Sequence, residues 1–305
     1  GMWVWWQWPR EGGKFISPVG QIMDKPLAKY SFERLRQRSY QSSEITLEGA
    51  DKFEFLSDGK RVSGQINIPQ GKQPGGGWPV IMMLRGYVDK EVYETGIGTR
   101  KVAAVLAKNG FMTLAPDFLG FGESEPESED ILEARFEKLV TALDLLASVC
   151  SLPQADCQKV GLWGHSNGGQ MALAVLAISE KAIPTVLWAP VSKPFPYSIL
   201  YYSDDLPNRG KMLRRAVAKF EADYDVDKYS VNNYYAGITS PLQIHQGTSD
   251  DAVPKSWSDQ LVADLKQQIT DITYNVYTGA DHNLNPVWDT VVARDVAFFK
   301  KYLKE

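Results

Sequence analysis

The stretch Gly164-His165-Ser166-Asn167-Gly168 constrains this chain more than any other. It follows the run Lys159 to Trp163, which reads as a short buried strand, and precedes Gln170 to Ile178, which reads as an apolar helix. A GxSxG sequence between a strand and a helix is a sharp turn that exposes its serine at the end of a sheet. Small residues are required beside that serine, because a Cβ at Gly164 or Gly168 would collide with neighbouring backbone; Gly169 widens the clearance. The helix starting behind Ser166 directs unpaired N–H groups and a partial positive charge toward the same point, which suits an oxyanion.

A serine hydroxyl is a poor nucleophile until a base takes its proton and a carboxylate orients that base. The chain has three histidines. His165 adjoins the serine inside the turn and is expected to pack beneath it. His245 ends the strand-like run from Pro241 and is expected to be a half-buried strand residue. His282 remains, in the loop Gly279-Ala280-Asp281-His282-Asn283 between the strand-like Ile272 to Tyr277 and a helix from about Val287 to Tyr302. The carboxylate should come from another strand end, and Gly247 to Pro254 follows the Pro241 to His245 run; spacing alone leaves Asp250 and Asp251 open. Serine, acid and histidine then occur in the chain order Ser, Asp, His. Asn167, after the nucleophile, supplies one backbone N–H for an oxyanion hole. The second is expected from Tyr87, since Pro79 to Leu84 is an apolar strand running into Arg85-Gly86-Tyr87.

Six strand-like runs alternate with five helical ones from Pro79 to Tyr302, which implies a mainly parallel sheet covered on both faces. Lys52 to Leu56 and Val62 to Ile68 flank Ser57-Asp58-Gly59-Lys60-Arg61 as a hairpin, adding antiparallel strands at the sheet edge.

With these residues in place, the chain resembles the α/β-hydrolase superfamily, and in particular catalytic domains of the prolyl oligopeptidase and acylaminoacyl-peptidase type with related esterases. The resemblance rests on Ser57 to Gly64, Arg85-Gly86-Tyr87, Pro116 to Ser124, the Gly164 turn, and Gln246 to Pro254 with Gly279 to Asn283, and it covers roughly Ile45 to Leu303. It implies an α/β-hydrolase fold, with a mostly parallel central sheet, helices on both faces and an inserted cap. In the relatives' acid loop, Gly, two residues, the acid, two residues and Val-Pro follow in turn, which selects Asp250. The implied chemistry is acyl transfer to water through an acyl-enzyme on Ser166, with His282 as base, Asp250 as its orienting acid and no cofactor. Carboxylic esters are the expected substrates, with small peptides as the alternative and a non-catalytic binding protein on the same scaffold as the alternative of another class. Two departures stand out: Arg85 replaces the usual histidine before Gly86, and the chain has no room for the propeller domain of the family's peptidases. A structural ion pair is expected for Arg85, with attraction of a substrate carboxylate or phosphate as the alternative.

Residues 44–305 are expected to form the hydrolase domain, with the cap at about residues 191–240. The cap is rich in tyrosine, and Tyr197 and Tyr201, with Trp188 just before it and Arg85, are candidate pocket residues. Residues 1–43 form an arm in which Trp3, Trp5, Trp6 and Trp8 cluster; Gly1 before Met2 reads as a cloning remnant. The arm is expected to pack along the domain or against another copy, with lipid-surface association as the alternative. Net charge is −4 with acids and bases interspersed, which offers nucleic acid no basic face. Cys150 and Cys157 match no zinc or redox motif, and with three scattered histidines no metal is expected. The two cysteines are expected to be buried free thiols, with a disulfide as the alternative. The cytoplasm is favoured over a membrane-bound or exported location, and the oligomeric state is open.

Overall fold

The computed structural model describes residues 25–269 and 271–304. The tryptophan cluster lies outside them, and with it the expectations attached to it. Among the described residues, nine strands form one sheet: β1 (Thr46–Glu48), β2 (Lys52–Ser57), β3 (Lys60–Asn67), β4 (Trp78–Leu84), β5 (Met112–Pro116), β6 (Ala155–His165), β7 (Thr185–Trp188), β8 (Leu242–Gly247) and β9 (Ile272–Tyr277). Their spatial order is β1-β2-β3-β5-β4-β6-β7-β8-β9. The first three are antiparallel, and the rest run parallel from β5 to β9.

The helices are α1 (Phe32–Gln37), α2 (Arg100–Lys108), α3 (Glu133–Ser148), α4 (Asn167–Ser179), α5 (Tyr197–Leu200), α6 (Lys211–Asp223), α7 (Lys255–Leu265) and α8 (Trp288–Leu303). The sheet's apolar side chains feed two cores. Residues of α3, α4 and α7 pack in one, and residues of α2 and α8 pack with Trp163 and Trp188 in the other. This two-sided cover explains why β4 is buried along its whole length.

The chain leaves β4 through α2 to β5 on one side, then returns through α3 to β6 on the other. Strand order therefore reverses at β4, and such a switch point opens a crevice beyond the carboxyl ends of β4 and β6. Leu84 pairs with Gly164 at that edge, so Arg85-Gly86-Tyr87 and the Ser166 turn emerge side by side.

The described end of the arm belongs to the larger core, through Leu27, Tyr30, Phe32 and Leu35. Arg36 donates from Nε and Nη2 to the Ala177 carbonyl at 3.0 and 2.7 Å, near the carboxyl end of α4. A cation there offsets the helix dipole.

The structure corrects the expectation for the cysteines. A short 3-10 turn over Val149–Ser151 and an early start of β6 at Ala155 bring Cys150 and Cys157 to a Cα separation of 5.0 Å, and the two are joined as a disulfide. The expectation for His245 also changes. Its ring is fully buried, with Nε2 3.0 Å from Asp295 Oδ1 and Nδ1 2.8 Å from the Tyr277 hydroxyl.

Candidate active site

Ser166 sits at φ 56° and ψ −119°, a conformation rare for a residue with a side chain. The surrounding glycines hold it there. A Cβ on Gly164 would stand 2.5 Å from the Gly168 carbonyl oxygen, and one on Gly168 would overlap the Leu84 carbonyl. The Ser166 N–H donates to Trp188 O at 2.9 Å, tying the turn to β7. Asn167 is the first residue of α4, so its N–H is one of the unpaired donors at the helix start.

Across the crevice, Gly86 lies against the serine: a Cβ there would be 3.1 Å from Ser166 Cβ. Arg85 fixes this loop from below. It is 4% exposed, and its guanidinium donates to Gly86 O and Asp117 O, both at 3.0 Å. It also lies 4.3 Å from the Phe121 ring centroid and 4.5 Å from that of Tyr93. Arg85 is therefore held by carbonyls and aromatic faces where an ion pair was expected, because the acid next to it, Asp117, spends its carboxylate on Ser63, Tyr93 and Thr95.

Asp250 and His282 leave the adjacent strands β8 and β9. Their loops are stitched by Ser249 N–H to Ala280 O at 3.0 Å and by Gly279 N–H to Thr248 Oγ1 at 2.9 Å. Gly247 permits the approach, since a Cβ there would overlap the Ala280 carbonyl. His282 Nδ1 then lies 3.0 and 2.9 Å from the two Asp250 oxygens. The Asp250 side chain is fully buried, and it also accepts from the N–H groups of Ala252 and Val253 and from Gln246 Nε2. Burial opposes ionisation of Asp250, but the hydrogen bonds from His282, Val253 and Gln246 outweigh it and hold the carboxyl below its usual range. Asp251, by contrast, is exposed.

Ser166 and His282 line one cavity of about 1010 Å³, together with Gly86, Tyr87 and Asn167. Ser166 Oγ makes no hydrogen bond among the described residues. Such bonds are often long before substrate closes a site.

Two supporting residues escape a sequence reading. Gln246 bridges Asp250 and Ser258 from inside β8; it opens the segment that carries the acid, but nothing in the sequence gives it a role. His165 is not merely packing: its Nε2 is 3.0 Å from the His282 carbonyl oxygen and its ring centroid 4.6 Å from that of His282. Burial, and then the nearby His282, push His165 down to about 4. It is thus neutral at pH 7, with Nε2–H donating to the backbone of His282. Its place beside Ser166 was the only available signal.

Of the expected pocket residues, Arg85 lines the cavity but Trp188, Tyr197 and Tyr201 do not. The Trp188 side chain points into the core on the α8 side, where its indole N–H donates to Asp295 at 2.9 Å. Tyr197 and Tyr201 turn outward over Trp257, with centroid distances of 6.1 and 4.8 Å. Tyr202 takes the inward position, with Ser198, Ile199 and Leu206.

The chain is similar to known proteins in sequence and in fold. A Schizosaccharomyces pombe protein that bears a provisional dipeptidyl aminopeptidase name is 24% identical over 271 residues, covering 84% of this chain and 30% of that protein. The human protein ABHD12B is 27% identical over 193 residues, covering 61% of this chain and 49% of that protein. The chain thus spans half or less of the length of these relatives. Among solved structures, acetyl xylan esterase 1 of a Thermoanaerobacterium species superposes with a TM-score of 0.65 at 16% identity, covering 90% of this chain and 94% of that one. Est1E of Butyrivibrio proteoclasticus, bound to ferulic acid, does so with a TM-score of 0.60 at 18% identity, covering 83% and 99%. Both superpose on the mostly parallel sheet with helices on both faces described above, and a Penicillium α/β-hydrolase superposes likewise with a TM-score of 0.61, so the chain has the α/β-hydrolase fold. The prolyl oligopeptidase family matches residues 98–305, a span that holds Ser166, Asp250 and His282, and the chain therefore belongs to this family of α/β serine hydrolases.

Proposed function

We propose that this protein cleaves carboxylic esters through a Ser166, His282 and Asp250 triad. The observation that carries the reading is the Asp250 to His282 hydrogen bond at the wall of the cavity that Ser166 lines. With Nδ1–H given to Asp250, the His282 Nε2 lone pair is free to take the Ser166 proton. Ser166 Oγ then forms a bond to the carbonyl carbon, and the oxyanion receives the N–H groups of Tyr87 and Asn167, each worth ~10²–10³-fold in turnover. The carbon–oxygen bond to the alcohol breaks, and the alcohol leaves with the proton from His282. Water, deprotonated by the same nitrogen, attacks the acyl-enzyme and frees the acid and Ser166.

In this reading residues 44–305 are the hydrolase domain, residues 191–240 its cap, and residues 1–43 an arm. Peptide hydrolysis is the second reading, favoured by the name of the yeast relative. A panel of aryl esters and aminoacyl anilides separates the two. Ester turnover that disappears in Ser166→Ala, with fluorophosphonate labelling of Ser166, is the expected result. Anilide turnover above ester turnover would favour the peptidase, and absence of labelling would overturn both readings.

A further inference from the structure

Four cations line the cavity beside Ser166: Arg85, Lys90, Arg135 and Lys138. Three of them surround one ring. Arg85 Cζ, Lys138 Nζ and Lys90 Nζ lie 4.3, 5.0 and 5.5 Å from the Phe121 centroid. Lys90 is neutralised by Glu127 at 2.5 Å, and Arg85 is spent on two carbonyls. Arg135 and Lys138 differ. They stand three residues apart on α3, hence on one face, both are half-buried, and neither side chain forms an ion pair or hydrogen bond among the described residues. Asp89, Glu91 and Asp205 share the cavity wall, yet none lies within ion-pair distance of either.

Leaving two like charges half-buried and unpaired is unfavourable, and the strain shows in Lys138, which burial and then Arg135 and Arg85 push down to about 8. A second observation points the same way. Ser198 is 2% exposed, its Oγ has no partner, and it lines both this cavity and the adjoining recess that Arg135 and Lys138 also line. The rest of that recess is mostly apolar, with Phe136, Leu139, Phe195 and Ile199 among its walls, although Asn167 and Gln170 also reach it. A pair of cations and an unused hydroxyl at the mouth of an apolar recess complement an oxyanion on a short carbon chain.

We infer that Arg135 and Lys138, with Ser198 Oγ, form an anion subsite that selects substrates carrying a carboxylate or phosphate in addition to the bond that is cleaved. The inference rests on the ester-hydrolase reading and narrows its substrate class. No step of the chemistry changes; the second anion fixes the substrate against α3 while Ser166 attacks.

The test compares p-nitrophenyl hemiesters of glutaric and adipic acid with neutral p-nitrophenyl esters of equal length, and adds an acylated glycerol phosphate to tell carboxylate from phosphate. Wild-type protein should show a lower KM for at least one anionic series. The Arg135→Gln/Lys138→Gln double variant should raise that KM roughly ten- to a hundredfold, with kcat and neutral-ester kinetics nearly unchanged. Lys219→Gln, on the exposed face of the cap, is the charge control, and circular dichroism checks folding. Equal KM for anionic and neutral esters, or an effect of Lys219→Gln as large as that of the double variant, would overturn the inference while leaving the hydrolase intact. If no ester is turned over and Ser166 resists labelling, the hydrolase reading fails. The subsite is then judged by calorimetric titration of the full chain with glutarate and with inorganic phosphate: binding lost in the double variant supports it, and no binding to wild type overturns it.

Discussion

Two side chains bonded to His282 hold it in place, and they make separate predictions. Asp250 accepts hydrogen bonds from four groups, those of Ala252, Val253, Gln246 and His282, whereas Asp251 faces water. Asp250→Asn keeps the shape but supplies a donor where His282 also donates, so the wrong imidazole tautomer is stabilised. Ester turnover should fall ~10³–10⁴-fold with little change in KM. Asp251→Asn should leave turnover unchanged, and the reverse ranking would reassign the acid. His165 acts through the His282 carbonyl, and its ring is neutral because it is held at about 4 against 6.5 for a free histidine. Its folded value is the lower one, so its contribution is complete above pH 6.5 and is lost as pH falls from there toward 4. That loss is at most ~3 kcal/mol. Urea midpoints at pH 7 and 4.5 should differ less in His165→Gln than in wild type; equal differences would show that another group controls acid stability.

Helix α4 links the nucleophile to the arm: it begins at the Ser166 turn and ends beneath Arg36. Replacing Arg36 with methionine keeps the stem but removes both hydrogen bonds to Ala177 O and a cation at the helix end. It should lower stability by ~1–2 kcal/mol, read from denaturant midpoints, with turnover unaffected. A larger loss of turnover than of stability would mean that α4 transmits the change to Ser166. The core strands were legible because apolar runs such as Val80 to Leu84 are buried on both sheet faces. That Asp250 and His282 would meet was legible as well, since their loops leave neighbouring parallel strands at one end. The cap was not. On a helical turn each residue is rotated ~100° from the last, so Tyr197 and Tyr201 share the outer face while Tyr202, one step on, lines the cavity. Composition reports the tyrosines but not the angle at which the turn is laid on the core.

Across the whole molecule, the cations beside Ser166 were illegible for a different reason: Arg85 follows β4, Lys90 lies in the next loop and Arg135 and Lys138 ride on α3, so only folding collects them. Their grouping sets substrate preference against stability. Lys138 is held at about 8, against 10.5 when unfolded, so keeping it charged costs the folded state at most ~3 kcal/mol at pH 7. The sign follows from the lowered value of a base. The cost is complete below pH 8, shrinks between 8 and 10.5 as the folded chain gives up the proton first, and is gone above. Lys138→Met retains the apolar stem and removes the charge, so it should raise the melting temperature by a few degrees at pH 7 and by less at pH 9.5. The same variant should lose affinity for anionic esters, because the unpaired charge that strains the fold is the charge the ligand would neutralise. A melting temperature that falls at pH 7 would mean that Lys138 is already compensated within the fold, and the opposition between stability and selectivity would not exist at this position.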